Sequence, residues 1–185
     1  INAKTLLDAL KEIPEQPLTI TLKFEVNRVS ILAEYFNGKF EIIGGKGDSF
    51  PIIPPSAEDA LQITLSSLDF AHGLKHTYFC CANDELRPVM NGVYFDMNEK
   101  GLTLVATDGS TLAMKEYKFK GASRCAFILP DKIAKILVDI MPHDDYQMTL
   151  IVDSQRAIFN HSDFSINTRL IEGRYPNYGS VIPVN

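Results

Sequence analysis

Leu6, Leu7, Leu10 and Ile13 fall at i, i+1, i+4 and i+7, the spacing of one helical face, and predict a helix over residues 3–13 that Pro14 and Pro17 stop. Residues 18–26 alternate apolar and polar side chains, as a half-buried strand does. A second strand is predicted over 29–36 and a third over 40–43. Asn37-Gly38 between them reads as a two-residue hairpin turn, because both residue types tolerate positive φ. Residues 44–55 are rich in Gly and Pro and 56–59 are polar, which predicts a domain boundary there and divides the chain into 1–57 and 58–185.

The second part runs through a longer series. A strand over 60–65 leads to a helix that Ser66 or Ser67 caps and that continues to about residue 79, with Leu68, Ala71 and Leu74 on one side and Gly73 weakening it. Strands are predicted over 89–97, 102–107 and 111–119, with turns at 98–101 and 108–110. A strand over 125–129 opens the next series. Asp131 is the expected cap of a helix that places Ile133, Ile136, Leu137 and Ile140 at i, i+3, i+4 and i+7, and Pro142 ends it. Strands over 147–152, 156–160 and 164–170 follow. Each half therefore reads as strand, helix and three meandering strands. The fold class is α+β: two amphipathic helices whose apolar sides pack on two antiparallel sheets, with the polar sides outward.

The same pattern occurs around residues 4–54 and again around 131–183. Ile13-Pro14 answers Met141-Pro142, and Gly38-Lys39-Phe40 answers Ser162-Asp163-Phe164. Phe50-Pro51 answers Tyr175-Pro176, and Ile53-Pro54 answers Ile182-Pro183. A repeat of this length is domain-sized rather than a solenoid unit. The first copy has no strand before its helix, and the chain opens on Ile1-Asn2, so it is expected to begin inside a domain.

Composition narrows the function. The 185 residues are 45% hydrophobic, enough for a core, and the net charge is −5 with a pI near 5.3. Domains that hold DNA by bulk charge usually have a pI above about 9, so any basic face must be local. Cys80, Cys81 and Cys125 show neither a C-x-x-C nor a Cys/His ligand spacing and read as free thiols of a reducing compartment. No apolar run approaches the roughly 20 residues needed to cross a bilayer.

Catalytic chemistry has little support. The carboxylate pairs Asp84-Glu85 and Asp144-Asp145 lack a third acid at a useful spacing, whereas a two-metal centre needs several converging carboxylates. His72, His76, His143 and His161 form no H-E-x-x-H pattern. His72 and His76 share a helix face at i, i+4 and read as surface residues rather than ligands. Gly44-Gly45-Lys46-Gly47 runs into Phe50-Pro51 instead of a helix, against a phosphate-binding loop. No catalytic residue, metal ligand or cofactor is assigned. Lysines stand on all three predicted helices: Lys4 and Lys11 seven apart, Lys75, and Lys132 and Lys135 three apart. Such point charges touch phosphates without reading bases.

Three connecting segments stand out, each placing apolar or aromatic groups, expected to be exposed, beside Gly or Pro: residues 86–93 (LRPVMNGV), 105–113 (VATDGSTLA) and 170–178 (LIEGRYPNY). In Arg87 to Gly92 (Arg-x-x-x-Asn-Gly), Val105 to Ala113 and Gly173 to Tyr178 (Gly-Arg-Tyr-Pro-Asn-Tyr) the sequence resembles the bacterial sliding clamp, the beta subunit of DNA polymerase III. The resemblance extends along the whole chain. Residues 1–57 resemble the closing half of that family's first domain and 58–185 its complete middle domain, with no third domain.

The resemblance implies the clamp fold and a non-catalytic processivity factor of the bacterial cytoplasm, associated with the nucleoid. The intact protein would be a homodimeric ring around duplex DNA, held without sequence preference, with helices lining the hole. Lys4, Lys11, Lys75, Lys132 and Lys135 become candidates for weak phosphate contact. This chain alone is not expected to close a ring. The resemblance also implies docking of polymerase III subunits, the clamp loader and other clients through a short motif with a Gln and hydrophobic residues. The matching pocket positions are Arg87, Met90, Thr107, Gly109, Leu112, Pro176 and Val181. Ser110, Thr111 and Ser180 stand where family members often carry longer basic side chains, so the rim is less cationic. The alternatives are a protein-interaction module unrelated to replication, and a metal-dependent nuclease or nucleotidyltransferase domain with at least three carboxylates within metal reach.

Overall fold

A computed structural model describes residues 1–26, 28–45, 47–49, 51–118, 124–141 and 146–182. Pro142, His143, Asp144, Asp145, Lys46, Phe50 and Pro183, named above, lie outside the described residues. The chain divides into two units, Ile1–Ile53 and Pro54–Asn185.

The first unit holds helix α1 (Ala3–Lys11) and an antiparallel sheet in the order β1 (Thr19–Glu25), β2 (Arg28–Tyr35), β3 (Gly38–Gly44). Asn2 caps α1 by accepting the Thr5 N–H at 3.1 Å. The register sets Ile20, Leu22 and Phe24 opposite Ala33, Ile31 and Val29, and these opposite Phe40, Ile42 and Gly44. One face is thus wholly apolar, as the alternation predicted, but β1 is exposed along its whole length rather than half-buried. On the other face Ser30 donates to the Glu41 carboxylate.

The hairpin turn differs from expectation. Tyr35 pairs with Gly38, so Phe36-Asn37 rather than Asn37-Gly38 make the loop, and no described non-glycine residue has positive φ. Gly38 instead leaves room for the Tyr35 ring, whose hydroxyl would lie 2.8 Å from a Cβ there and would have to shift.

The second unit contains β4 (Leu61–Ser66), α2 (Ser67–Lys75), β5 (Gly92–Asn98), β6 (Gly101–Thr107), β7 (Leu112–Lys118), β8 (Cys125–Pro130), α3 (Asp131–Ile140), β9 (Gln147–Val152), β10 (Arg156–Asn160) and β11 (Ser165–Arg169). The sheets run β11-β10-β9-β4 and β7-β6-β5-β8. Each opening strand therefore leaves its own series: β4 pairs with β9, Leu61 against Val152 to Ser66 against Gln147, and β8 pairs with β5. Alternate residues of both sheets, among them Phe95, Leu104, Leu129, Met148, Leu150 and Phe159, join Phe70, Leu74, Ala134 and Leu137 of the two helices in one core. The Phe95 and Phe127 rings stack with centroids 4.5 Å apart.

Local chemistry shifts several boundaries. Ser66 caps α2, accepting the Asp69 N–H at 3.1 Å, whereas Ser67 is buried and its hydroxyl accepts the Tyr146 N–H. Helix α2 ends at Lys75, short of 79, because the Thr77 hydroxyl turns back to the Gly73 and Leu74 carbonyls and a 3-10 turn follows at Tyr78–Cys80. Its buried side is Phe70, Gly73 and Leu74, and Leu68 is exposed.

Asp131 is not the cap of α3 but its first residue. Pro130 holds the cap position without a side-chain bond, and the Asp131 N–H goes to the Asn91 carbonyl at 3.1 Å. The buried side of α3 is Ala134 and Leu137, flanked by Ile133 and Val138, so Ile136 and Ile140 of the expected stripe are exposed. Strand β5 begins at Gly92 because Pro88–Met90 form a 3-10 turn. Where the chain enters this unit, the Arg156 guanidinium donates to the Pro54 carbonyl at 3.0 Å, the Pro55 carbonyl at 2.9 Å and Asp153 at 3.2 Å.

Gly101 closes the β5–β6 hairpin with φ +142°, and a Cβ there would fall 1.9 Å from the Tyr117 carbonyl oxygen. Gly101→Ala should destabilise the second unit by about 2–3 kcal/mol, from backbone strain plus forced separation of β6 and β7. Urea unfolding measures this, and a loss under about 0.5 kcal/mol would contradict the geometry.

Candidate functional site

The three segments singled out in the sequence meet on the face of sheet β7-β6-β5-β8 turned away from the core. The cross-strand row Met114, Val105, Tyr94, Ile128 runs across that face. Residues 170–180 lie over it. Tyr175 stacks flat on Tyr94, centroids 4.7 Å apart and planes 4° apart, and it packs with Val105 and Ile128 in a cluster that Val89, Leu112, Ile171 and Tyr178 surround. The Tyr178 hydroxyl donates to Asp96 at 2.8 Å. The Tyr175 hydroxyl is buried beside the Thr107 backbone without full hydrogen-bond geometry, and burial pushes its pKa up.

Each segment has its own lock. The Asn91 amide both accepts the Asp84 N–H and donates to the Asp84 carbonyl, each at 3.0 Å, and Met90 accepts the Ala82 N–H. Gly92 follows because a Cβ would sit 2.4 Å from the Leu129 carbonyl oxygen. The Asp84 carboxylate accepts from Arg87 Nε at 2.8 Å. In the second segment Asp108 accepts the Ser110 and Thr111 N–H groups at 2.8 and 2.7 Å, and Thr107 Oγ1 donates to the Thr111 carbonyl while accepting the Gly109 N–H. Gly109 has φ +94° and lies against the Arg87 guanidinium and the Met90 methyl. In the third, Gly173 abuts Val89.

Of the seven expected pocket positions, Arg87, Met90 and Gly109 are brought together, and Thr107 and Leu112 are cross-strand partners at the β6–β7 turn. Leu112 packs at the edge of the tyrosine cluster. Val181 is 67% exposed at the end of the 3-10 turn Tyr178–Ser180. Pro176 lines a neighbouring groove of about 1120 Å³ with Tyr94, Asp96, Arg124, Arg174 and Tyr178, which holds no other expected pocket position. The expectation that the segments expose their apolar groups is corrected for Val105 and Tyr175, which are buried where the segments cover the sheet, for Met90, which is also buried, and for Val93 and Ala106, which face the main core.

Sequence reasoning assigned no role to Tyr94 and Ile128, and it took Ile171, Tyr175 and Tyr178 only as exposed groups of the third segment, not as the residues that fasten it to the sheet. The available signal was that Tyr94, Val105 and Ile128 are apolar at positions alternating with an already apolar core set.

The lysines are all exposed: Lys4 and Lys11 on α1, Lys75 on α2, Lys132 and Lys135 on α3. None makes an ion pair with another described residue. Among the described residues no three His, Cys, Asp or Glu side chains gather as metal ligands do. The three cysteines are free, and burial pushes Cys81 up to about 12. No helix among the described residues is long and apolar enough to cross a membrane.

Comparison with known proteins gives concordant results. Residues 64–177 match the sequence family described as DNA polymerase III beta subunit, central domain. The beta sliding clamp of Synechococcus elongatus is 29% identical over 189 residues, covering 99% of this chain and 49% of that protein. That of Treponema pallidum is 29% identical over 180 residues, covering 96% and 47%. The crystal structure of the DNA polymerase sliding clamp from Bacillus subtilis superposes with a TM-score of 0.87 at 21% identity, over 100% of this chain and 48% of that one. The Pseudomonas aeruginosa sliding clamp bound to griselimycin superposes with a TM-score of 0.86 at 22% identity, over 100% and 50%. The chain spans about half the length of the curated relatives it matches.

The Arg87 bond, and next the Leu86 N–H, hold the Asp84 carboxyl below its ordinary value. A depressed folded-state pKa contributes stability that is present above the unfolded value, near 4, and is lost as the pH falls through the folded value. In Arg87→Ala the Asp84 titration midpoint, followed by carboxyl NMR, should therefore rise. An unchanged midpoint would show that Arg87 does not hold this loop.

Proposed function

The chain belongs to the DNA polymerase III beta-subunit family, and from that premise we propose that it is part of a sliding clamp, a non-catalytic processivity factor. In this reading residues 1–57 close a first domain and 58–185 form the middle domain of a homodimeric ring around duplex DNA, acting in the bacterial cytoplasm at the nucleoid. Lys4, Lys11, Lys75, Lys132 and Lys135 touch phosphates without sequence preference. Polymerase III subunits, the clamp loader and other clients dock by a short peptide on the wall that includes Arg87, Met90, Thr107, Gly109, Leu112, Pro176 and Val181.

The observation that carries the reading is the convergence of residues 87–92, 105–113 and 173–178 on one face of a sheet. They lie far apart in sequence, yet Gly109 meets Arg87 and Met90, Gly173 meets Val89, and Tyr175 covers Val105. Partly buried Leu112 and buried Met90, the latter against Gly109, suit an apolar side chain, since Met adapts its shape to what it meets. Thr107 and Arg87 supply the polar edge. The exposed lysines of α2 and α3 fit a protein that must slide, because a few phosphate contacts give weak, salt-sensitive binding. The net charge of −5 is compatible with this when the basic groups are local.

Two measurements test it. Calorimetric titration with a peptide carrying Gln and hydrophobic residues should show binding that Leu112→Asp weakens at least about tenfold, by placing a charge in an apolar contact. Equal affinity in the two proteins would remove the pocket assignment, and the interaction-module alternative predicts no specific peptide binding at all. In fluorescence anisotropy at low salt, the triple variant Lys75→Glu, Lys132→Glu, Lys135→Glu should lose duplex affinity and have a shallower salt dependence. Unchanged duplex binding would take these three lysines off the DNA path.

A further inference from the structure

Helix α2 carries His72 and His76 one turn apart on its exposed surface, with ring centroids 4.1 Å apart and planes tilted by 54°. His76 Nδ1 lies 2.7 Å from the His72 carbonyl oxygen. A carbonyl can only accept, so in the neutral ring the proton sits on Nδ1 and the lone pair is on Nε2. Metal-ligating histidines are set up in this way: one ring nitrogen donates to a backbone carbonyl or carboxylate, which fixes the tautomer and the ring plane, and the other nitrogen faces the ion.

The backbone between the two rings is already held. Gly73 and Leu74 are buried, and the Thr77 hydroxyl donates to the Gly73 carbonyl at 2.9 Å and the Leu74 carbonyl at 3.2 Å. Little backbone freedom remains to be lost when the rings converge on a ligand. The pair also sits at the C-terminal end of α2, where the helix dipole favours a cation.

We propose that His72 and His76 form a two-imidazole chelate for a borderline divalent transition ion such as Zn2+, Ni2+ or Cu2+. Nitrogen donors select these ions over Mg2+ and Ca2+, which take oxygen ligands. With no third protein ligand gathered among the described residues, the other coordination positions are left to water or to an anionic oxygen such as phosphate. The site differs in kind from His161, whose side chain is fully buried, whose Nδ1 accepts the Asp163 N–H at 3.3 Å, and whose Nε2 has no partner among the described residues. The inference goes beyond the clamp reading and does not depend on it.

The experiment is calorimetric titration of the untagged chain with NiCl2, paired with NMR to follow paramagnetic broadening along α2. The wild type should bind one ion with broadening centred on residues 69–77. His72→Gln and His76→Gln should each weaken binding at least about tenfold, since losing a direct ligand costs no less than losing its outer-shell partner. Both rings are exposed, so circular dichroism should show an unchanged fold in these variants. His143→Gln should bind as the wild type does, and Cys81→Ser should leave the Zn2+ affinity unchanged. Nickel affinity that is the same in the wild type and the His72→Gln/His76→Gln double variant, or that falls with His143→Gln instead, overturns the proposal.

Discussion

The second unit depends on an exchange of strands. Each strand–helix–three-strand series gives its opening strand to the other's sheet, and the helix that follows starts where that strand ends. Strand β4 ends at Ser66 and α2 begins at Ser67; β8 ends at Pro130 and α3 begins at Asp131. The first helical N–H is then satisfied from across the exchange in both halves: Ser67 donates to the Tyr146 carbonyl at 2.8 Å, and Asp131 to the Asn91 carbonyl at 3.1 Å. Tyr146 and Asn91 each stand immediately before the strand that receives the exchanged one. One rule thus sets two helix starts and satisfies the first N–H of each, while the third N–H of α2, that of Asp69, goes to the Ser66 hydroxyl.

The same exchange locates the candidate site. Strand β8, arriving beside β5, brings Ile128 next to Tyr94 on the outer face of the sheet, and Ile171 donates its N–H to the Ile128 carbonyl at 3.0 Å. The segment after β11 is thereby laid against the sheet, and Tyr175 comes down on Tyr94. Arg87, Met90, Thr107, Gly109 and Leu112 gather beside this cover. The proposed docking wall and the buried core thus occupy opposite faces of one four-stranded sheet, and β6 is buried on both.

Much of this was readable from the chain. Strict alternation marked β1, and apolar positions three and four apart marked α1 and α3. What escaped had identifiable causes. The Leu102 to Thr107 run is apolar on both faces because a second layer covers it, and periodicity alone does not say which face meets the core and which meets that cover. Ile136 and Ile140 completed a good helical stripe, yet the buried side rotates toward Ala134 and Val138, since packing against α2 and β5 favours the small residue at the contact. The end of α2 was set by the Thr77 hydroxyl, shared between the Gly73 and Leu74 carbonyls, a side-chain contact that propensity does not weigh. The site was legible as three segments because Asn91, Asp108 and the glycines beside them carry turn chemistry, whereas the tyrosines that join the segments act only through contacts across the fold.

The strand exchange also sets a timetable for synthesis. Leu61 hydrogen-bonds in the ladder opposite Val152, so β4 leaves the ribosome long before its partner exists. Until β9 is made, the alternating apolar side chains Leu61, Ile63 and Leu65 belong to a strand without a sheet, and α2 lacks the neighbour it packs against. Pairings this distant in sequence make folding slow and leave unpaired edges exposed meanwhile. The first series is therefore committed to wait, and the nascent chain carries a sticky, half-built sheet for most of the unit's translation, a period in which chaperones have the most to protect.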